Sequence, residues 1–292
     1  MSGQTVTIGL VQMSCTPDPE HNFQKASEKI RQAARDGAEV VCLQELFRSL
    51  YFCQKEDAEA FNLAEPIPGP TSEAFACLSK ELNIVIIASL FEQRARGLYH
   101  NTVAIIDPVK GLAGRYRKMH IPDDPFYYEK YYFTPGDLGF QSHATDRGNL
   151  GVLICWDQWF PEAARLTALA GADILFYPTA IGWIDGDTGG DLKTAQPEAW
   201  RTIQRAHAVA NGVFVAAVNR VGREGSLTFW GQSFVCDPFG RIVAEASADK
   251  EEIFITSCDF SLIEQPRRNW PFLRDRRIDS YGGLGVRFLD RT

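Results

Sequence analysis

The chain has 292 residues, 45% of them hydrophobic, enough to bury a full core in one large domain or two small ones. Its formal net charge of −7 argues against nucleic acid or an anionic membrane as the main partner, since either needs a basic face. The 7 cysteines are odd in number and lack the short paired spacings of a zinc-ligand set, so reduced thiols in a cytosolic protein are the simplest reading.

Met1-Ser2-Gly3-Gln4-Thr5 carries neither a basic region nor a long apolar run, so no signal peptide is expected. No stretch approaches the apolar length of a membrane span. No Gly/Ser/Pro-rich tract or charge block divides the chain, and residues 1–292 read as a single domain.

Residues 5–12 alternate and are rich in β-branched side chains, which predicts a first strand. After the turn signals Pro17, Asp18 and Pro19, Asn22 is the expected N-cap of a helix carrying Phe23, Ala26, Ile30 and Ala33 and ending at Gly37. Residues 40–43 then form a buried strand, which completes a β-α-β unit. Thr71 is expected to cap a helix carrying Phe75, Leu78 and Leu82, ahead of the strongly apolar residues 84–88. Residues 102–106 and 112–116 predict a hairpin joined through Asp107-Pro108-Val109-Lys110-Gly111.

Strand 150–154, helix 161–170 and strand 174–177 make another β-α-β unit, and a longer helix over 197–211 stops at Gly212. Strands follow at 213–218, 233–236, 242–244 and 253–258, the middle pair linked by Asp237-Pro238-Phe239-Gly240. Alternating strands and helices with hairpins between them predict an α/β fold with mixed sheets. After Pro266, Arg267, Arg268, Arg274, Arg276 and Arg277 interleave with Trp270, Pro271, Phe272 and Leu273. That is either a solvated tail or, the favoured reading, an arm over 266–292 packed on another subunit, where arginine and aromatics are enriched.

Cys155 follows the apolar run Val152-Leu153-Ile154 and precedes Pro161-Glu162, which reads as the first turn of a helix. It stands where a strand ends and a helix is about to begin, a rigid place to hold a nucleophile. Glu45 ends the apolar run 40–43 with only Gln44 between, and Lys118 stands just past the strand 112–116. Each alone has a plain reading: a small core hydrophobe, a strand-end carboxylate reaching solvent, and a solvated lysine.

Together they match a need. A thiol nucleophile requires a base to take its proton and later to activate water. It also requires a cation or N–H where the oxyanion develops, which Lys118 and the Trp156 backbone N–H can supply.

Leu43-Gln44-Glu45-Leu46-Phe47, Tyr116-Arg117-Lys118-Met119-His120-Ile121-Pro122 and Ile154-Cys155-Trp156-Asp157-Gln158-Trp159-Phe160-Pro161-Glu162 resemble, in order and spacing, the Glu-Lys-Cys motifs of the nitrilase superfamily of carbon-nitrogen hydrolases. Within it, the last run and Phe176-Tyr177-Pro178-Thr179-Ala180-Ile181-Gly182 look most like the N-carbamoylputrescine amidohydrolases. The resemblance covers nearly the whole chain. It implies a four-layer α-β-β-α sandwich with two mixed sheets, a homodimer or larger assembly, and neither metal nor organic cofactor. It also implies a role for Glu129, in Tyr127-Tyr128-Glu129-Lys130, in orienting the lysine and the base; the plain reading is a loop carboxylate paired with Lys130.

The implied substrate is a carbamoylated amine whose cationic tail needs a carboxylate or an aromatic face. Trp183, Asp185 and Asp187, in the expected loop 183–187, are the candidates, with Asp123 and Asp124 adding negative charge nearby. Plant members of that group carry Ser-Glu after the Ile-Gly pair where this chain has Trp183-Ile184, so either an aspartate replaces that glutamate or the substrate differs. The alternatives are an N-carbamoyl amino acid hydrolase of the β-ureidopropionase kind, an ω-amidase, a nitrilase, or a catalytically silent binding protein of the same fold.

Overall fold

The computed structural model describes residues 4–186 and 190–289. Its first half runs β1 (Thr5–Gln12), α1 (Pro19–Arg35), β2 (Val40–Leu43), α2 (Pro70–Leu82), β3 (Val85–Ala95), β4 (Leu98–Asp107), β5 (Gly111–Arg117) and the single turn α3 (Glu129–Tyr132). The second half opens with β6 (Ser142–Thr145), β7 (Gly148–Val152), α4 (Pro161–Leu169), β8 (Ile174–Pro178), β9 (Gly182–Ile184) and α5 (Leu192–Asn211). It closes with β10 (Phe214–Val218), β11 (Val221–Glu224), β12 (Leu227–Trp230), β13 (Phe234–Cys236), β14 (Ile242–Glu245), β15 (Glu252–Asp259) and α6 (Ser261–Asn269).

Two six-stranded sheets form, in the orders β15-β1-β2-β3-β4-β5 and β14-β13-β10-β8-β7-β6. Each has three parallel strands flanked by antiparallel ones: β1, β2 and β3 in the first, β7, β8 and β10 in the second. The sheets meet face to face through β2 against β8 and β1 against β10. Strand β2 shows why its sequence is an unbroken apolar run. Val40 and Cys42 face the second sheet, while Val41 and Leu43 face Ala26, Ile30 and Ala33 of α1 and Phe75 of α2. On the far side α4 and α5 cover the second sheet, with Trp200 fully buried. The architecture is the four-layer α-β-β-α sandwich with two mixed sheets.

Three helix starts differ from the sequence reading, each for a local reason. Helix α1 begins at Pro19 with Asp18 as its cap, whose Oδ1 accepts from the N–H groups of Glu20 (2.9 Å) and His21 (3.2 Å). Asn22 lies inside the helix, and its Nδ2 donates to the carbonyls of Thr16 and Arg48. Helix α2 begins at Pro70 rather than after Thr71, and Ser72 Oγ accepts from Gly69 N–H at 2.9 Å.

Helix α5 starts five residues before Pro197. Proline has no N–H for the Lys193 carbonyl one turn back, and Trp183 Nε1 donates to that carbonyl instead at 3.1 Å. Strands β9, β11 and β12, a separate three-stranded sheet, and the edge strand β6 were not predicted. Trp183 and Ile184, expected at the start of a loop, are therefore strand.

Candidate active site

Strand direction gathers the site. Strand β5 is antiparallel to β4, and β4 to β3, so β5 runs the same way as β2 and β3. Glu45 lies two residues beyond β2 and Lys118 one residue beyond β5, so both emerge on one edge of the first sheet. Cys155 opens a 3-10 turn, Cys155–Trp159, three residues beyond β7. Ligand sites in α/β proteins gather at such carboxyl ends of strands. Cys155 has φ of +43° and Leu46, next to Glu45, has φ of +48°, a left-handed region that non-glycine residues seldom occupy and that tends to mark functional turns.

Lys118, Glu45 and Glu129 are fully buried. Lys118 Nζ donates to Glu45 Oε1 at 2.8 Å and to Glu129 Oε2 at 2.6 Å. Asn101 Nδ2 also donates to Glu45 Oε1, at 2.7 Å, while Glu45 Oε2 is buried without a hydrogen-bond partner among the described residues. An ammonium has three N–H bonds, so Lys118 retains one donor for a further acceptor.

Burial opposes the charge on Lys118, but Glu129, Glu45 and the Cys155 thiol overcome it and hold the lysine well above its usual range. Burial pushes the Glu129 carboxyl up to about 7, assisted by Glu45 and opposed by Lys118 and the Tyr51 hydroxyl. Desolvation, with Glu45 adding to it, also drives the Cys155 thiol well above its ordinary value despite the nearby Lys118. The resting thiol is therefore protonated and needs a base. Glu45, close enough to raise that thiol, has one oxygen without a partner among the described residues.

A cavity of about 360 Å³ opens over Cys155. Its walls are mostly aromatic and aliphatic, with Tyr127, Trp156, Trp159 and Trp230 among them. Asp124 is the one charged side chain among its described lining residues, which include no lysine, arginine or histidine. Asp185 does not line it: its carboxylate takes Arg223 Nη2 at 2.6 Å and the Thr228 hydroxyl at 3.2 Å. Asp123 is exposed and lies 3.9 Å from Lys130. Trp183 stands behind the wall, packed on Trp230 with ring centroids 5.5 Å apart. Asp187 lies outside the described residues. Among the described residues no group of three His, Cys, Asp or Glu side chains is arranged to hold a metal ion.

Residues 7–268 match the carbon-nitrogen hydrolase family model. The chain belongs to the carbon-nitrogen hydrolase family. It is 45% identical to an N-carbamoylputrescine amidase of Solanum lycopersicum over 285 residues, 94% of this chain and 93% of that one. A citrullinase of Francisella tularensis is 41% identical, with 94% of this chain and 96% of that one covered. A crystal structure of a carbon-nitrogen hydrolase from Helicobacter pylori superposes with a TM-score of 0.94 at 45% identity, covering 98% of this chain and 100% of that one.

This carbon-nitrogen hydrolase supports its site through residues that the sequence reading did not single out. Asp157 Oδ2 accepts from Ile154 N–H (2.9 Å) and the Tyr116 hydroxyl (2.8 Å), and its Oδ1 from His120 N–H (3.0 Å). One carboxylate thus ties the turn of Cys155 to the segment following Lys118. Asn219 brackets Ile181, accepting from its N–H and donating to its carbonyl, both at 3.0 Å. The available signal was Asn219-Arg220 set between Val218 and Val221, a polar pair just past a buried strand.

Proposed function

We propose that this chain hydrolyses N-carbamoylputrescine to putrescine, carbon dioxide and ammonia, with Cys155 as nucleophile, Glu45 as acid and base, Lys118 as oxyanion partner and Glu129 as the group that orients Lys118. The observation that carries the reading is the buried Glu45–Lys118–Glu129 cluster, near enough to act on the Cys155 thiol, which lines a cavity whose one carboxylate among the described residues is Asp124.

Glu45 Oε2 takes the thiol proton as the sulfur attacks the carbamoyl carbon. The oxyanion forms against the free N–H of Lys118 and the backbone N–H of Trp156. The first bond of the 3-10 turn runs from Asp157 N–H to Ile154 O at 3.0 Å, one residue beyond the Trp156 amide. Collapse breaks the C–N bond, Glu45 returns its proton to the leaving nitrogen and ammonia departs, leaving a thioester-type carbamoyl-sulfur intermediate. Glu45 then deprotonates water, which displaces the thiol. The released carbamate decomposes to carbon dioxide and the amine.

The wall chemistry supports a cationic tail. Asp124 offers a charge partner, and the tryptophans and Tyr127 offer apolar and cation–π surface for a methylene chain ending in an ammonium. Citrulline carries the same ureido group with an added carboxylate, for which the described lining supplies no cation. Ammonia release should therefore be faster from N-carbamoylputrescine than from citrulline or N-carbamoyl-β-alanine. A preference for either acid would overturn the diamine reading.

The same reading takes the chain as one catalytic domain in a homo-oligomer, acting in the cytosol at a putrescine-forming step of polyamine biosynthesis. The segment after Pro266 supports the assembly. Arg267 donates to the Asn211 carbonyl at the end of α5, and beyond it Ile278, Phe288 and Leu289 are 73%, 77% and 70% exposed, an apolar surface that a partner subunit would cover. All seven cysteines are free, which supports a reducing compartment, and among the described residues no helix is long and apolar enough to cross a membrane.

A further inference from the structure

Arg220 is fully buried just past β10, at the head of β11. Its Nη2 donates to the carbonyls of Glu45 (3.0 Å) and Leu46 (2.9 Å), and its Nη1 to the Ser49 carbonyl (2.9 Å). Glu224 pairs with Nη1 at 2.8 and 3.0 Å. The same Glu224 carboxylate accepts from Tyr51 N–H at 2.6 Å, and the Tyr51 hydroxyl donates to Glu129 Oε1 at 2.7 Å. One buried ion pair therefore fastens the backbone of one site carboxylate and, through Tyr51, the side chain of the other.

We propose that Tyr51 is a positioning residue that turns the Glu129 carboxylate so that its second oxygen faces Lys118, with the Arg220–Glu224 pair as its anchor. The inference rests on the cysteine-hydrolase reading of the site. The titratable groups around Glu129 are Lys118, Glu45, Cys53, Cys155, Tyr51 and Tyr127. Lys118 holds one Glu129 oxygen and Tyr51 the other. Without the hydroxyl, Oε1 would be buried with no donor, which disfavours the charged carboxylate and frees it to rotate away from the lysine. The Tyr51 ring is fixed independently, edge-on to Phe229 at 5.9 Å and tilted on Tyr127 at 5.5 Å, so phenylalanine can keep its place.

Tyr51→Phe is the test, read as kcat/KM against pH and as the rate at which iodoacetamide alkylates Cys155, followed on the Cys155 peptide by mass spectrometry. The expected result is a loss of about tenfold in kcat with KM held within about twofold, and an acid limb moved up by roughly one pH unit in both profiles. In a Glu129→Gln background the same substitution should add less than about twofold. Superimposable profiles, a uniform loss without a shift, or an undiminished effect in that background would overturn the proposal. Alkylation needs no substrate, so a shifted limb in an enzyme that ignores N-carbamoylputrescine would defeat the substrate reading alone. Should Tyr51→Phe fail to fold, Glu224→Asp keeps a charge beside Arg220 but withdraws it from Tyr51 N–H. It should move the limb in the same direction by less, and an unmoved limb there would equally count against Tyr51.

Discussion

The floor of the cavity and its mouth are built on different principles. At the floor, Glu45, Lys118 and Cys155 follow the ends of strands and Glu129 opens α3, and Lys118 joins the two carboxylates while Asn101 holds Glu45 and Tyr51 holds Glu129. At the mouth, the wall comes from β9, the early turns of α5 and the segment following Lys118, with aromatic surface and, among the described residues, a single carboxylate. A buried charged network tolerates little change, because each group left unpaired carries the full cost of desolvation. An apolar wall can exchange residues at lower cost. On the proposed reading, reaction type is set at the floor and substrate choice at the mouth, and substitutions can separate the two.

The largest effect belongs to the nucleophile. Cys155→Ala should lower kcat on the order of 10,000-fold or more on every substrate, measured as ammonia release, while circular dichroism and the melting temperature stay near those of the parent protein. A fold-neutral loss is expected because the exchange removes only a buried sulfur beside a rigid turn. Retained turnover would remove Cys155 from the floor.

The next effect is electrostatic. Glu129 carries its charge only above an apparent value near 7, and Lys118 needs that charge as its second partner, so kcat/KM should rise as pH climbs through about 7. Burial is the main cause of the elevation, so the limb should resist salt more than a surface pair would. Glu129→Gln should remove the limb and reduce kcat by roughly 10- to 100-fold. A pH profile flat from 5 to 9 in the unmodified enzyme would break the link between the floor's geometry and its rate.

The floor was legible in the sequence because carboxylate and thiol each follow a strand plain from its apolar run, as Glu45 does after Val40-Val41-Cys42-Leu43, and the amine follows the second arm of a hairpin marked by its turn residues. The mouth was not. Strands β11 and β12 are four residues each, joined at Gly225-Ser226, and β9 has only three, with Gly182 at its head because a Cβ there would overlap the Thr228 carbonyl. Runs so short and mixed carry no periodicity to distinguish strand from loop. Asp185 therefore read as a loop acid free to meet substrate, whereas its strand-end position hands it to Arg223 and Thr228. Tyr51 gave no signal of Glu129, nor Arg220 of the Glu45 carbonyl, since those partners lie more than 70 residues away in the chain.

At the mouth, Asp124→Asn should weaken N-carbamoylputrescine through KM, because the contact is remote from the reacting carbon and acts in ground and transition states alike. A charge-assisted contact predicts a loss of about tenfold in kcat/KM, and a neutral carbamoylated alkylamine of equal length should lose less than about twofold. Equal losses on both would show that Asp124 shapes the wall without reading the charge.

Asp185→Asn should have the smallest effect. Its pair with Arg223 is largely exposed, and such pairs contribute about 1 kcal/mol or less, so neither stability nor kcat/KM should move by more than about twofold on either substrate. Asparagine can still accept from Arg223 and from the Thr228 hydroxyl, which keeps the end of β9 in place. The comparison with Asp124→Asn is the informative part, since both exchanges neutralise one acid close to β9 or the cavity and differ in whether that acid faces the cavity. If Asp185→Asn instead cost tenfold on the diamine alone, the wall around Asp124 would not be where the ammonium rests, and recognition would have to pass through the outer edge of β9.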